Sequence, residues 1–257
     1  MGLSAVSISP NGKHVIVSEQ VGEDSDNLYM LNVDDDNLVP ISKPKRRASH
    51  ANEGISWTSD SKGFYLSSNL DSNFSSLRYY QLGRGFKTIV EAQGDIEDVN
   101  LCGTNVKYWL WSVNKDGYSL MYVKDLDSQV TSQLAKDISG VISPKCNRTV
   151  NKTVLSVSGS KNPGEVLLVD LDTKKEPSVF QTNLAGIDPA DLVKPESITL
   201  KARDGVTLQG LLYLPNKETV KSGTKPPIVF SVHGGPTAQS RPSFKPSAQY
   251  LLGQGIA

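Results

Sequence analysis

The sequence predicts two architectures in series: all-β propeller blades forming a partial propeller, followed by the N-terminal part of an α/β hydrolase domain. Three observations predict this. Strand-like runs recur over residues 1–183 with a period in the forties of residues. No segment in that part holds a helical apolar period. Near the end, an apolar, β-branched run stops abruptly at His233-Gly234-Gly235-Pro236, and a helical-looking segment follows.

In the first part, Val15-Ile16-Val17, Phe64-Tyr65-Leu66, Tyr108-Trp109-Leu110-Trp111 and Val154-Leu155-Ser156-Val157 read as strands. Asn11-Gly12, Lys62-Gly63 and Asp116-Gly117 supply turns, where positive φ is needed. Val33, Leu82, Leu126 and Leu171 close a recurring Leu-Tyr-x-x-Asp-Leu-like run and lie 44 to 49 residues apart. Ile8-Ser9-Pro10-Asn11-Gly12-Lys13 aligns with Trp57-Thr58-Ser59-Asp60-Ser61-Lys62 at the same spacing. A unit of that length with four strand signals describes a propeller blade, so residues 1–183 are expected to hold about four blades. They would be the C-terminal part of a larger propeller, since four blades sit at the lower limit of closure. A β-sandwich with irregular spacing is the alternative.

Composition shifts after Thr182, and residues 184–195 read as a linker closed by Lys194-Pro195. Residues 196–257 read as the incomplete start of an α/β hydrolase domain. Two strands flank Asp204-Gly205, a hairpin signal. Ile228 to Val232, bounded by Pro, suits a strand buried on both faces. Pro246 to Gln254 places Ala248, Leu251 and Leu252 on one helix face, and Ile256-Ala257 would begin the next strand. Hairpin, buried strand, crossover helix and strand make up the opening of an α/β sheet.

Acyl transfer needs backbone N–H donors aimed where negative charge develops on the substrate carbonyl. Tandem glycines after a central strand permit close backbone approach and positive φ. In α/β hydrolases one oxyanion donor comes from this loop and another from the residue after the nucleophile. Gly235, ahead of Gly234, is thus the candidate oxyanion donor, with His233 orienting the loop. His233 is not expected to be the triad base, which in this fold follows the nucleophile in chain order. The bland reading is that Gly-Gly-Pro is only a tight turn.

The remaining features exclude more than they assign. Lys+Arg and Asp+Glu both number 27, so no net charge argues for nucleic acid or an anionic membrane. The basic run Lys43-Pro44-Lys45-Arg46-Arg47 and the acidic Asp34-Asp35-Asp36 both read as exposed loops; the latter lacks the spaced ligands of a calcium site. No metal and no cofactor is expected. Cys102 and Cys146 form neither a metal-ligand spacing nor a disulfide framework. Three Asn-x-Ser/Thr matches, at Asn73, Asn147 and Asn151, are of a kind that arises often by chance. No signal peptide and no membrane-length apolar run is visible, so a soluble and cytoplasmic protein is the expectation, with oligomeric state left open.

The residues Ser231-Val232-His233-Gly234-Gly235-Pro236-Thr237-Ala238-Gln239, with Gln249-Tyr250-Leu251-Leu252 and Gln254-Gly255-Ile256-Ala257, resemble the start of the catalytic domain of the prolyl oligopeptidase family of serine peptidases. The His-Gly-Gly-Pro form is most similar to its acylaminoacyl-peptidase and dipeptidyl-peptidase-like branch. Asp204-Gly205 with Leu208, Gly210 and Leu212 matches that domain's first hairpin, and the repeats resemble the family's N-terminal propeller. The resemblance implies a serine-type hydrolase acting on short peptides, with the propeller gating access. The departure is that the sequence contains no Gly-x-Ser-x-Gly, and none of the Ser/Asp/His triad is identified in it. The chain is therefore expected to be a fragment, inactive by itself. A propeller-based protein-interaction module without catalysis is the alternative function.

Overall fold

A computed structural model describes residues 2–42, 50–220, 223–235 and 238–257. The basic run at 43–47, together with Pro236 and Thr237, lies outside the described residues. Four four-stranded antiparallel sheets follow one another along the chain, each a simple meander, as in propeller blades. The first holds β1 (Leu3–Ile8), β2 (His14–Gly22), β3 (Ser25–Asn32) and β4 (Asn37–Pro40). The second holds β5 (Asn52–Trp57), β6 (Gly63–Ser68), β7 (Ser76–Gln81) and β8 (Gly85–Val90). The third holds β9 (Asp95–Cys102), β10 (Tyr108–Lys115), β11 (Tyr118–Asp125) and β12 (Thr131–Leu134). The fourth holds β13 (Val141–Cys146), β14 (Lys152–Gly159), β15 (Asn162–Asp170) and β16 (Ser178–Gln181).

The repeat seen in the sequence has a backbone counterpart. Val33, Leu82, Leu126 and Leu171 each follow the third strand of a blade. Each donates its N–H to the carbonyl just before the second strand, of Lys13, Lys62, Lys107 and Asn151 respectively, at 2.8–3.0 Å. One hydrogen bond thus ends the central hairpin at the same place in every blade. Gly63, which opens β6, has no room for a side chain, because a Cβ would run into the Tyr80 carbonyl and the Tyr79 ring.

Blade faces pack on one another in sequence order. Ile16, Leu28 and Met30 of the first blade meet Trp57, Phe64 and Leu66 of the second. Leu77 meets Ile96, Val99 and Trp111 between the second and third. Leu110 and Met121 meet Leu155 and Val169 between the third and fourth. Burial of these side chains is the main source of blade cohesion, at about 1.5–3 kcal/mol each. The outer face of the first blade has no such cover among the described residues: Leu3, Val6 and Ile8 are 60%, 48% and 61% exposed.

Cys102 and Cys146, which sequence spacing did not pair, form a disulfide with Cα atoms 5.3 Å apart. The reason is the repeat itself. Their separation of 44 residues is about one blade, and each ends the first strand of its sheet, so stacking blades brings them together.

Beyond the blades, the expected hairpin forms as β17 (Glu196–Lys201) and β18 (Thr207–Leu212), joined through Gly205 at φ 84°. The expected helix forms as α1 (Pro246–Gly253), with Leu252 buried and Ala248 and Leu251 half-buried. The expected buried strand does not form: Ile228, Val229, Phe230 and Val232 are 51–86% exposed. The physical reason is a shortage of pairing partners. Among the described residues Ala257 alone pairs with this run, donating to the Pro227 carbonyl and accepting from the Val229 N–H at 2.8 Å each. That reciprocal pair is one step of a parallel ladder. No α/β sheet forms among the described residues, and the chain is predominantly β.

Candidate functional site

A cleft of about 520 Å³ lies where the first strands of the second and third blades begin. Glu53 of β5 and Asp95 and Glu97 of β9 form one wall, and Gln209, Gln239 and Arg241 face them from the C-terminal part. The blade repeat explains why two glutamates point the same way. Glu53 pairs with Ser67 and Glu97 with Ser112, and each serine is the fifth residue of its blade's second strand. Side-chain direction alternates along a strand, so equal register in adjacent blades delivers equal orientation.

The cleft concentrates like charge. Partial burial raises the Glu53 pKa above the ordinary carboxyl range, and Glu97, Asp26, Asp98 and Asp95 push it the same way. Burial likewise raises Asp98, opposed by a 3.0 Å hydrogen bond from the Ser112 hydroxyl. Both side chains also keep contact with water, so the burial that raises them is partial. Among the described residues, no group of three His, Cys, Asp or Glu side chains is arranged to hold a metal ion.

Arg241 is the cation set against this wall. Its Nη1 donates to Glu97 Oε2, its Nε to the Gly117 carbonyl and its Nη2 to Ser119 Oγ, each at 2.9 Å. A planar guanidinium suits three acceptors fixed by one rim, the β9 strand and the β10–β11 turn. Gly117 is required in that turn: it sits at φ 88°, and a Cβ there would lie 3.3 Å from Pro242. Around the clasp, Asn114 donates to Gln239 at 2.8 Å, Gln209 to Asp116 at 2.7 Å, and the Phe244 N–H to Ser158 Oγ at 3.1 Å. Gln249 of α1 adds bonds to the Ser160 and Val193 carbonyls. Six residues beyond Gly235, the chain is therefore tied to the rims of the third and fourth blades.

The sequence-predicted residues lie beside this clasp and not in the cleft lining. Gly235 sits at φ 72°, the left-handed region that favours glycine. Among the described residues, a side chain at Gly234 would meet nothing within 4 Å, and at Gly235 only Ala238 Cβ lies near, at 3.8 Å. Exposed His233 places Nδ1 3.3 Å from the Gly234 carbonyl, a contact within the loop itself. His14 and His50 are inter-blade residues, His14 stacking on Trp57 and His50 buried beside Ser42. Glu53, Glu97 and Arg241 were missed. The recurring serines Ser18, Ser67, Ser112 and Ser156 carried the register needed to find the two glutamates. Nothing local to Arg241 marks it.

No family model matches the sequence, and no curated protein matches it. Solved structures do match. A puromycin hydrolase superposes with a TM-score of 0.82 at 16% identity, over 99% of this chain and 40% of its own. The fold is that of prolyl oligopeptidase family enzymes. A prolyl endopeptidase structure gives 0.82 at 16% identity over 99% of this chain and 36% of its own. A Mycobacterium tuberculosis puromycin-hydrolyzing peptidase gives 0.81 at 18% identity over 100% and 40%. The chain thus spans about two fifths of the length of the structures it matches.

Proposed function

We propose that the chain is part of a serine-type peptidase of the prolyl oligopeptidase family, acting on short peptides, with the blades gating access to the reacting centre. The observation that carries this reading is the joint placement of two features. The blades have the fold of peptidases over the full length of this chain, and the segment leaving His233-Gly234-Gly235 is clasped through Arg241 to the blade rim. On this reading, residues 1–183 are blades, 184–195 a linker, and 196–257 the first stretch of a hydrolase domain. The Pro227–Val229 step against Ala257, with α1 in the intervening crossover, is what the first parallel pairing of such a domain looks like. The bare apolar face of β1 is where a further blade would pack.

Gly235, with Gly234 beside it, donates a backbone N–H to the developing oxyanion, and His233 orients the turn. The triad lies outside these residues, so the chain alone is inactive. Fluorophosphonate labelling and a peptidyl-nitroanilide assay test this directly: the pure chain is expected to give neither a covalent adduct nor turnover, and an adduct would refute the assignment. In a continuous polypeptide that carries a Gly-x-Ser-x-Gly segment downstream, Gly235→Val is expected to lower kcat roughly 10²-fold with little change in KM.

A further inference from the structure

The end of the inner strands opposite the cleft holds a second organised feature. Glu53 and Asp95 stand near the starts of β5 and β9, whereas Trp57 and Cys102 stand at their ends. There the turn between β13 and β14, residues 146–151, reaches three blades at once. Cys146 is bonded to Cys102 of the third blade. The Gly103 N–H donates to the Asn147 carbonyl at 2.8 Å, and the Thr104 N–H to Asn151 Oδ1 at 2.9 Å. Thr104 Oγ1 donates to the Thr149 carbonyl at 3.0 Å. Gly103, at φ 82°, admits no side chain, because a Cβ would lie 2.8 Å from Asn151 Oδ1 and 2.9 Å from the Tyr108 ring. From the same turn Arg148 crosses to the second blade, donating to Ser56 Oγ at 2.8 Å and to the Trp57 carbonyl at 3.4 Å.

Arg148 thereby bridges the fourth blade to the second across the ends of the first strands, which line the axis of a propeller. Arg148 is exposed, and its bridge consists of two part-buried hydrogen bonds, too little to fix a six-residue turn by itself. Its anchor is the disulfide. Cys102 is fully buried and Cys146 half-buried, so the bond is approachable from the Cys146 side only.

We propose that the Cys102–Cys146 disulfide is a redox-sensitive lock that holds the 146–151 turn, and through Arg148 the bridge to the second blade, across the far end of the propeller axis. The reductant is of the dithiol class. One thiolate attacks Cys146 Sγ, the S–S bond breaks, and Cys102 leaves as a thiolate that takes up a proton. The second thiol of the reductant then displaces Cys146, which is protonated in turn. The protein gains two thiols and the dithiol becomes a cyclic disulfide. The Gly103 and Thr104 bonds remain available afterwards, but the covalent anchor is gone and the turn opens locally while the blade cores stay packed.

Trypsin reads this at the Arg148–Thr149 bond. The oxidised chain is expected to resist cleavage there, and dithiothreitol to accelerate it by about tenfold or more, with the β-strands of all four blades still uncut. A Cys102→Ser, Cys146→Ser double variant is expected to show the fast rate without reductant. Ser56→Ala, which weakens the far anchor of Arg148 and leaves the disulfide intact, is expected to raise cleavage severalfold in the oxidised chain, so the test survives if the double variant fails to fold. An unchanged rate on reduction overturns the proposal. So does simultaneous cleavage throughout the blades, which marks a plain structural staple, and so does an oxidised Ser56→Ala chain indistinguishable from the parent.

Discussion

Arg241→Ala removes three hydrogen bonds at once, and the structure allows the loss to be sized. All three bonds have an ionised donor, so solvent screening at this partly exposed site decides their worth, from about 0.5 to about 3 kcal/mol each. The side chains of the ion pair retain 21% and 27% exposure, which places the sum near the low end of that range. A loss of about 2–3 kcal/mol in the docking of residues 238–245 follows, which corresponds to roughly 30- to 150-fold faster amide exchange. The variant also leaves Glu97 without its cation beside Asp95, Asp98 and Glu53, keeping the 3.0 Å bond from Asn114 Nδ2, whereas Glu97→Gln removes a negative charge and still offers Arg241 a carbonyl oxygen. The two substitutions are therefore not equivalent. Arg241→Ala should be strongly disruptive, Glu97→Gln within about 0.5 kcal/mol of neutral, and the double variant better protected than Arg241→Ala alone. Hydrogen exchange followed by mass spectrometry on the 238–245 peptides reads all three. Equal effects of the two single substitutions, or strict additivity in the double variant, would refute the reasoning.

Glu53 has a raised pKa in the folded chain, so its ionised form opposes folding; Glu53→Gln is expected to stabilise the chain at neutral pH, the gain shrinking as pH falls through the folded pKa and vanishing below the unfolded value, as urea midpoints measured across pH would show. The opposite pH trend would sink the assignment. Gly63→Ala forces a Cβ into the Tyr80 carbonyl and is expected to cost about 1–3 kcal/mol, or to stop the second blade from forming, measured by chemical denaturation. Phe230→Ser with Val232→Ser removes the two most exposed large apolar side chains among the described residues; light scattering at high concentration is expected to fall while the thermal midpoint holds, and a lowered midpoint would mean that this run is packed in solution.

The blades were legible because a repeated unit states its register several times over. Val33, Leu82, Leu126 and Leu171 marked one position in each blade, and the backbone uses that position identically. The hairpin around Gly205 and the helix at Pro246–Gly253 were legible for local reasons, a turn residue with positive φ and an apolar helix face. The strand at Ile228–Val232 was misjudged because composition reports what a segment suits, whereas a ladder needs partners, and among the described residues only Ala257 supplies one. The disulfide was misjudged by the opposite route. Its spacing looked arbitrary when read along the chain, and became meaningful only as one blade length.

The same contrast governs the candidate site. His233, Gly234 and Gly235 are proposed from four consecutive letters, because a backbone donor needs only local geometry. The cleft could not, since it joins Glu53 to Glu97 across two blades and to Arg241 across 144 residues of sequence. Long-range chemistry of this kind is visible in a sequence only where a repeat transmits it. The recurring serines did transmit the two glutamates, and Arg241, standing outside the repeat, had no such messenger. Within the reading proposed above, the loop supplies the donor and the blades supply its orientation. Substitutions that remove an acceptor of Arg241, such as Glu97→Ala or Ser119→Ala, are therefore expected to move the loop although they lie far from Gly235 in sequence.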